Sequence, residues 1–256
     1  MGRTFAFVVE RERAEALRMK ADLELESERL SKVLLDSVSH ELRTPLTTIT
    51  GSMSALMDEG LAAKPEARKA LIEGALDASG RLDRIVEDIL SMSRIESGSL
   101  RLDSSLVDLA DLAKEATIAA GRELDPERVR LELPEPALPA RLDFGLAARL
   151  VGNLLRNAAR YSPAGSPIAL SFAEEGGSLE IKVRDSGPGV AEGEIPFLFE
   201  RFRRGRSAKG GGLGLGLAIC KGIAAAHGGT IEAHNAPGGG LEVDVSFPGR
   251  VDGGEK

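Results

Sequence analysis

The sequence predicts an α+β fold: an N-terminal helical hairpin that pairs with a second copy into a dimeric four-helix bundle, followed by an α/β sandwich. Three observations carry this reading. Leu35, Leu42, Ile49 and Leu56 recur every seven residues, a helical stripe that needs a partner. Leu71, Ala75, Ala78, Leu82, Ile85, Ile89 and Met92 follow with steps that alternate four and three, a second seam of the same kind. Beyond Ser99 the texture changes to helix and strand groups that do not alternate strictly, as α+β layering requires.

Taken in order, residues 1–21 read as a linker or the remnant of an upstream region, 22–98 as the hairpin, 99–249 as the sandwich and 250–256 as a polar, disordered tail. Residues 5–9 are too short for a signal-peptide core. No apolar run approaches the roughly 18 residues of a membrane span, so a membrane link is expected only through an upstream region. Residues 10–33 hold no Gly or Pro and favour helix; a solvated helix and a coiled-coil transmitter fit them equally. The first long helix is expected over about 22–57, ending at Asp58-Glu59-Gly60. The second starts near Pro65, a good first-turn residue, and stops at Ser97-Gly98-Ser99, where Gly98 suits the position after the cap. One hairpin cannot bury two such stripes, but two chains can.

In the second half, Val107-Asp108-Leu109 opens an Ala-rich helix that ends near Gly121, and 129–133 alternates as a strand does. Pro134, Pro136 and Pro139 mark a connector, and 143–159 is an amphipathic helix. Residues 168–172, 179–183, 230–233 and 241–247 read as strands. The net charge of −7 does not suggest nucleic-acid binding. A single cysteine, Cys220, excludes an intrachain disulfide and suits a cytoplasmic, reducing setting. His227 and His234 lack metal-ligand spacing.

The chemistry begins at Ser37-Val38-Ser39-His40-Glu41-Leu42-Arg43-Thr44-Pro45-Leu46. His40 precedes Leu42 by two residues, about 200° round a helix from the apolar stripe, so its imidazole faces water. Glu41 is placed to hold one ring nitrogen as N–H and leave the other as a nucleophile. Pro45 lacks a backbone donor and should kink the helix. An exposed histidine on a helix is commonly just solvated surface. A phosphate source elsewhere in the chain would change that reading.

Three stretches supply one. Asn153 and Asn157 lie four apart, on one helix face, with amide oxygens that suit Mg²⁺ already held by phosphates. Arg160 follows one turn on and can reach phosphate oxygens, and Tyr161 can stack on a base. Asp185 ends a predicted strand and opens Asp185-Ser186-Gly187-Pro188-Gly189; its carboxylate can accept from an adenine amino group, while Gly187 and Gly189 let backbone approach. Gly212, Gly214 and Gly216 expose successive N–H groups where a helix begins, an anion site. No Gly-Lys-Ser/Thr follows, so this is not a P-loop. Each stretch alone is a weak signal.

Together they resemble sensor histidine kinases. The S-H-E-L-R-T-P-L run resembles their phospho-acceptor box, and the three stretches resemble the N, G1 and G2 boxes of the ATPase fold shared with gyrases and Hsp90 chaperones. Phe197-Leu198-Phe199-Glu200-Arg201-Phe202 resembles the kinase F box, which those relatives lack. The resemblance implies ATP and Mg²⁺ as cofactors, with Asn157 ligating the metal, Asn153 assisting and Asp185 reading adenine. It implies a mobile lid over 190–211 whose Arg203, Arg204, Arg206 and Lys209 screen the triphosphate. It also implies autophosphorylation of His40, transfer to an aspartate of a response regulator receiver domain, and a phosphatase activity in which Thr44 places a water. Two positions depart from the pattern: Arg160 stands where lysine is usual, and Leu213 replaces a small or polar residue. Residues 133–136 and 233–240 resemble the potassium-sensing branch. The rival expectations are an ATP-driven clamp of the gyrase or chaperone kind and a silent dimeric scaffold.

Overall fold

A computed structural model of the chain describes residues 36–58, 60, 64–136, 138, 140–203 and 212–248. The expected N-terminal linker, the start of the first helix, Arg204, Arg206, Lys209 and the tail lie outside the described residues.

Helix α1 covers residues 36–56 and runs through Pro45 as continuous helix. Pro45 is buried, and its missing N–H leaves the Glu41 carbonyl without the usual bond four residues on. Helix α2 spans Pro65–Glu96 with Pro at its first position. It ends as the sequence predicts. Gly98 has φ +63, its N–H donates to Ile95 O at 3.2 Å, and the Ser99 N–H donates to Arg94 O at 3.0 Å; these paired bonds close a helix with a left-handed residue. Ala75, Ala78, Ile85 and Met92 of the predicted seam are buried, and its other members are half-buried.

The sandwich follows with β1 (Ser104–Val107), α3 (Leu109–Ala120), β2 (Val129–Glu132), β3 (Ala140–Asp143), α4 (Phe144–Tyr161), β4 (Ile168–Glu175), β5 (Ser178–Arg184), α5 (Gly216–Ala226), β6 (Thr230–Asn235) and β7 (Leu241–Pro248). Asp108 caps α3 by accepting from the Ala110 and Asp111 N–H groups, and Asp143 caps α4 through Leu146 N–H. A five-stranded sheet has the order β2-β4-β5-β7-β6. β2 and β4 are parallel, and every other pair is antiparallel. β1 and β3 form a separate antiparallel pair that the sequence did not reveal.

Alternation puts Ile168, Leu170, Phe172, Leu179, Ile181, Val183, Val243, Val245 and Phe247 on the inner face. Helices α3, α4 and α5 cover that face with Leu112, Leu150, Leu154, Leu155, Ile219 and Ile223, each contributing about 1.5–3 kcal/mol by leaving water. Gly152 lets α4 approach α3, since a Cβ there would stand 3.0 Å from Ala116 O.

The hairpin packs on this sandwich. Ile85 and Met92 join its core, with Val38, Leu42, Ile89 and Ile95 against it. Gly222 of α5 is the crossing point with α2: a Cβ there would come 2.6 Å from Ile95. Arg149 of α4 pins the contact, donating to Asp88 at 2.9 Å and to Ser91 Oγ at 2.5 Å, while Arg201 pairs with Glu96.

Candidate functional site

Helix α4, the loops after β5 and the start of α5 meet at the ends of the central strands. There they wall a cavity of about 1160 Å³. Asn153, Asn157, Arg160, Tyr161, Asp185, Gly189, Gly212, Gly214 and Gly216 all line it. Gly187 does not; it serves the wall from behind, since a Cβ there would stand 2.7 Å from Tyr161 O and 2.9 Å from Asp185 Oδ1.

Asp185 is 8% exposed. Its N–H donates to Leu241 O at 2.9 Å, and its Oδ1 accepts from Gly187 N at 2.7 Å and Leu241 N at 3.1 Å. Among the described residues Oδ2 takes no hydrogen bond, so the carboxylate is fixed by one oxygen with the other in reserve. The β6–β7 turn presses on it. Gly240 has φ +92, and a Cβ there would lie 2.0 Å from Asp185 O. Asn235 clamps the next loop, accepting from Val190 N at 2.8 Å and donating to Val190 O at 2.7 Å. Sequence reading missed Asn235; the glycines that follow it, Gly238 to Gly240, were its only signal.

Gly212, Gly214 and Gly216 lead into a helix start, as the sequence predicts. Leu215 precedes α5 without a side-chain cap, and the first helical bond runs from Ile219 N to Leu215 O. The N–H groups of Gly216, Leu217 and Ala218 thus stand at a helix start with its partial positive charge. A Cβ at Gly216 would meet nothing within 4 Å, so that glycine opens onto free space. Gly214 is needed for fold instead: its φ is +68, and a Cβ would come 2.7 Å from Arg203 O. Leu213 is buried in the core, which explains an apolar residue at that place. Arg203 lies over the Phe197 ring at 4.3 Å and pairs with Glu200 at 3.1 Å.

Two amides diverge. Asn157 is half-buried at the cavity wall. Asn153 is 2% exposed, its Oδ1 accepts from Arg156 Nη2, and its Nδ2 is buried with no hydrogen-bond partner within normal geometry among the described residues. Burial holds the Arg156 guanidinium below its ordinary pKa. Of the two, Asn157 is the one whose amide oxygen takes no such hydrogen bond among the described residues.

His40 is exposed, as its helical phase requires. Thr44 is exposed one turn on, donating from Oγ1 to His40 O at 3.2 Å. Glu41 is not where it was expected. It is 8% exposed, and its Oε2 accepts from Arg81 Nη2 at 2.8 Å. No described residue bonds the His40 ring. Consecutive helical residues diverge by about 100°, so Glu41 faces α2, where a buried carboxylate must find a donor. Arg81 also lines the cavity, as do Arg84, Ile85 and Asp88. Residue spacing gave no hint of this wall.

The other histidines are structural. His227 caps α5, with Nδ1 donating to Ile223 O at 2.9 Å and Nε2 accepting from Asp143 N at 3.1 Å. His234 sits between Glu242 at 3.3 Å and Asp244 at 3.2 Å, where burial pushes the Asp244 carboxyl up.

Residues 30–98 match the family described as the His Kinase A (phospho-acceptor) domain. Residues 143–251 match that described as the histidine kinase-, DNA gyrase B- and HSP90-like ATPase. Among curated relatives, the sensor protein KdpD of Escherichia coli K12 is 35% identical over 250 residues, 95% of this chain. The chain spans only 27% of that protein's length. Among solved structures, Acinetobacter baumannii histidine kinase AdeS superposes with a TM-score of 0.61 at 28% identity, covering 82% of this chain and 97% of that one. The mycobacterial sensor histidine kinase MprB gives 0.51 at 30% identity, covering 57% and 99%. With an acceptor hairpin matched on one side and the ATPase sandwich on the other, this chain belongs to the histidine kinases of two-component signalling.

Proposed function

We propose that the chain autophosphorylates His40 from ATP, passes the phosphoryl group to an aspartate of a response regulator receiver domain, and dephosphorylates that regulator. One observation carries the reading: α2 of the acceptor hairpin forms part of the wall of the nucleotide-type cavity. Phosphoryl transfer depends chiefly on positioning and charge stabilisation. Asp185 Oδ2 accepts from the adenine amino group. The N–H groups at the start of α5 and Arg160 take the triphosphate. Asn157 is the residue suited to hold Mg²⁺, which neutralises phosphate charge when bound; Asn153 acts behind it, positioned by Arg156. Arg204 remains a proposed phosphate contact by resemblance alone. Thr44 places a water for the phosphatase step. The outward apolar residues of α1 and α2 support a homodimer. No described helix is long and apolar enough to cross a membrane, and we place this part of the protein in the cytosol. Similarity to KdpD supports the potassium-sensing branch.

Incubation with γ-labelled ATP tests the proposal. Label on the chain should be acid-labile and base-stable, as expected of phosphohistidine. His40→Ala should lose the label while keeping nucleotide binding, and label retained on that variant overturns the assignment. Thr44→Ala should autophosphorylate normally but dephosphorylate the regulator more slowly. The phospho-acceptor match over 30–98 speaks against a nucleotide clamp, which needs no acceptor histidine.

A further inference from the structure

Glu41 stands one residue from the acceptor histidine, yet its carboxylate is engaged with α2 through Arg81 at 2.8 Å. The site is the hairpin interior, where Glu41 is buried. A buried carboxylate stays with the cation that satisfies it. While Arg81 holds Glu41, the His40 ring has no orienting acceptor among the described residues. Arg81 itself is not deep: its side chain is 35% exposed, and it lines the same cavity as Asn157 and Gly216. A triphosphate entering there brings several negative charges to the guanidinium, and phosphate matches its fork as well as carboxylate does. Arg84, one turn on, is paired with Glu123 of the sandwich at 3.5 Å and does not compete for Glu41.

Resting on the autophosphorylation reading, we propose that Arg81 is a positioning residue that withholds Glu41 from His40 until a nucleoside triphosphate in the cavity draws the guanidinium away. The released carboxylate then accepts from the protonated ring nitrogen. The lone pair of the other nitrogen attacks the γ-phosphorus. The bond from that phosphorus to the β–γ bridging oxygen breaks, the diphosphate leaves with the electron pair, and the ring N–H proton passes to Glu41. The nucleotide thus does two jobs: it donates the phosphoryl group and frees the residue that receives the proton.

Initial rates with γ-labelled ATP test this on the full chain. Arg81→Met should raise kcat and KM for ATP together, each about two- to fivefold, the scale of one partly exposed charge pair, because in the parent the guanidinium of the ATP-bound chain still divides its time between phosphate and Glu41. The restraint on Glu41 and the attraction for triphosphate are lost at once. Arg81→Lys, which still reaches one carboxylate oxygen, should fall between parent and Met. In a Glu41→Gln background, where little residual rate remains, Arg81→Met should raise KM alone, because no carboxylate is left to release. An unchanged or lowered kcat for Arg81→Met overturns the proposal, as does the same rise in kcat with Gln at position 41. Should the methionine variant fail to fold, the lysine variant decides, and no rise in its kcat overturns the proposal equally. A parent chain that takes no label removes the function reading itself. A parent that labels normally, with no rise on substitution, removes only the gate.

Discussion

The exposure of His40, and the placement of Asp185 just after β5 and of Asn157 on α4, were legible because each residue sits in a run whose neighbours dictate its surroundings. Glu41 was not, because its partner Arg81 lies forty positions away and only the hairpin brings them together. Cys220 shows what burial alone does to a residue. It is fully buried, its thiol donates weakly to Leu150 O at 3.6 Å, and burial pushes its pKa from 9.0 up to about 12. The folded thiol should therefore resist iodoacetamide at pH 8. Below pH 9 both folded and unfolded chains keep the proton, and the group leaves stability independent of pH. Between pH 9 and 12 the unfolded chain releases the proton and the folded chain does not. Stability should then fall by about 1.4 kcal/mol per pH unit from this group. Denaturant unfolding at pH 8, 9 and 10 should show a steeper decline for the parent than for Cys220→Ala; parallel declines would contradict the assignment.

Elements were read best where a period ran long. The two helical seams, the starts of α3 and α4, and the strands β4, β5 and β7 were all read from the sequence, though the capping roles of Asp108 and Asp143 were not. β1 and β3 did not: each is four residues long, with Ser, Arg and Asp among them, and a short polar edge pair carries little pattern. The glycines divide in the same way. Their clustering pointed to the cavity wall, but spacing did not say which ones open onto the cavity and which ones permit the fold. Gly240 should be of the second kind. Alanine there must adopt φ near +92 with its Cβ against Asp185 O, so Gly240→Ala should cost about 1–3 kcal/mol and weaken nucleotide binding by displacing Asp185. Gly216 should be of the first kind. Its Cβ would enter open space at a helix start, so Gly216→Ala should leave the melting temperature within a few degrees of the parent while weakening nucleotide binding. Calorimetric melting with nucleotide titration separates them. Equal losses of stability in both variants would refute the division.

At the scale of the molecule, one chain leaves its hairpin unfinished. Ile72, Leu76, Val86 and Leu90 are exposed at positions that each follow a member of the buried seam of α2 by one residue. Helix α2 therefore carries two apolar stripes side by side. One packs on α1 and the sandwich. The other faces water, beside an α1 that also exposes Leu46 and Met53. Apolar surface gathered along one bundle in this way marks an interface, whereas the exposed Leu106 and Ile118 of the sandwich stand on separate elements. The spacing of residues 71–92 called for a partner to the seam, but did not reveal that the buried stripe is shared with the sandwich, because that docking joins segments far apart in the chain. A charge in the exposed stripe must be desolvated if a second copy packs there, and two facing copies repel. Leu76→Asp with Leu90→Asp should therefore shift the chain from dimer to monomer in sedimentation at micromolar concentration. Leu106→Asp with Ile118→Asp should leave the dimer intact. Both pairs should still bind nucleotide, since neither touches the cavity lining. A parent chain that sediments as a monomer, or a Leu76/Leu90 variant that stays dimeric, would mean that the outward stripe of α2 is not the face on which two copies meet.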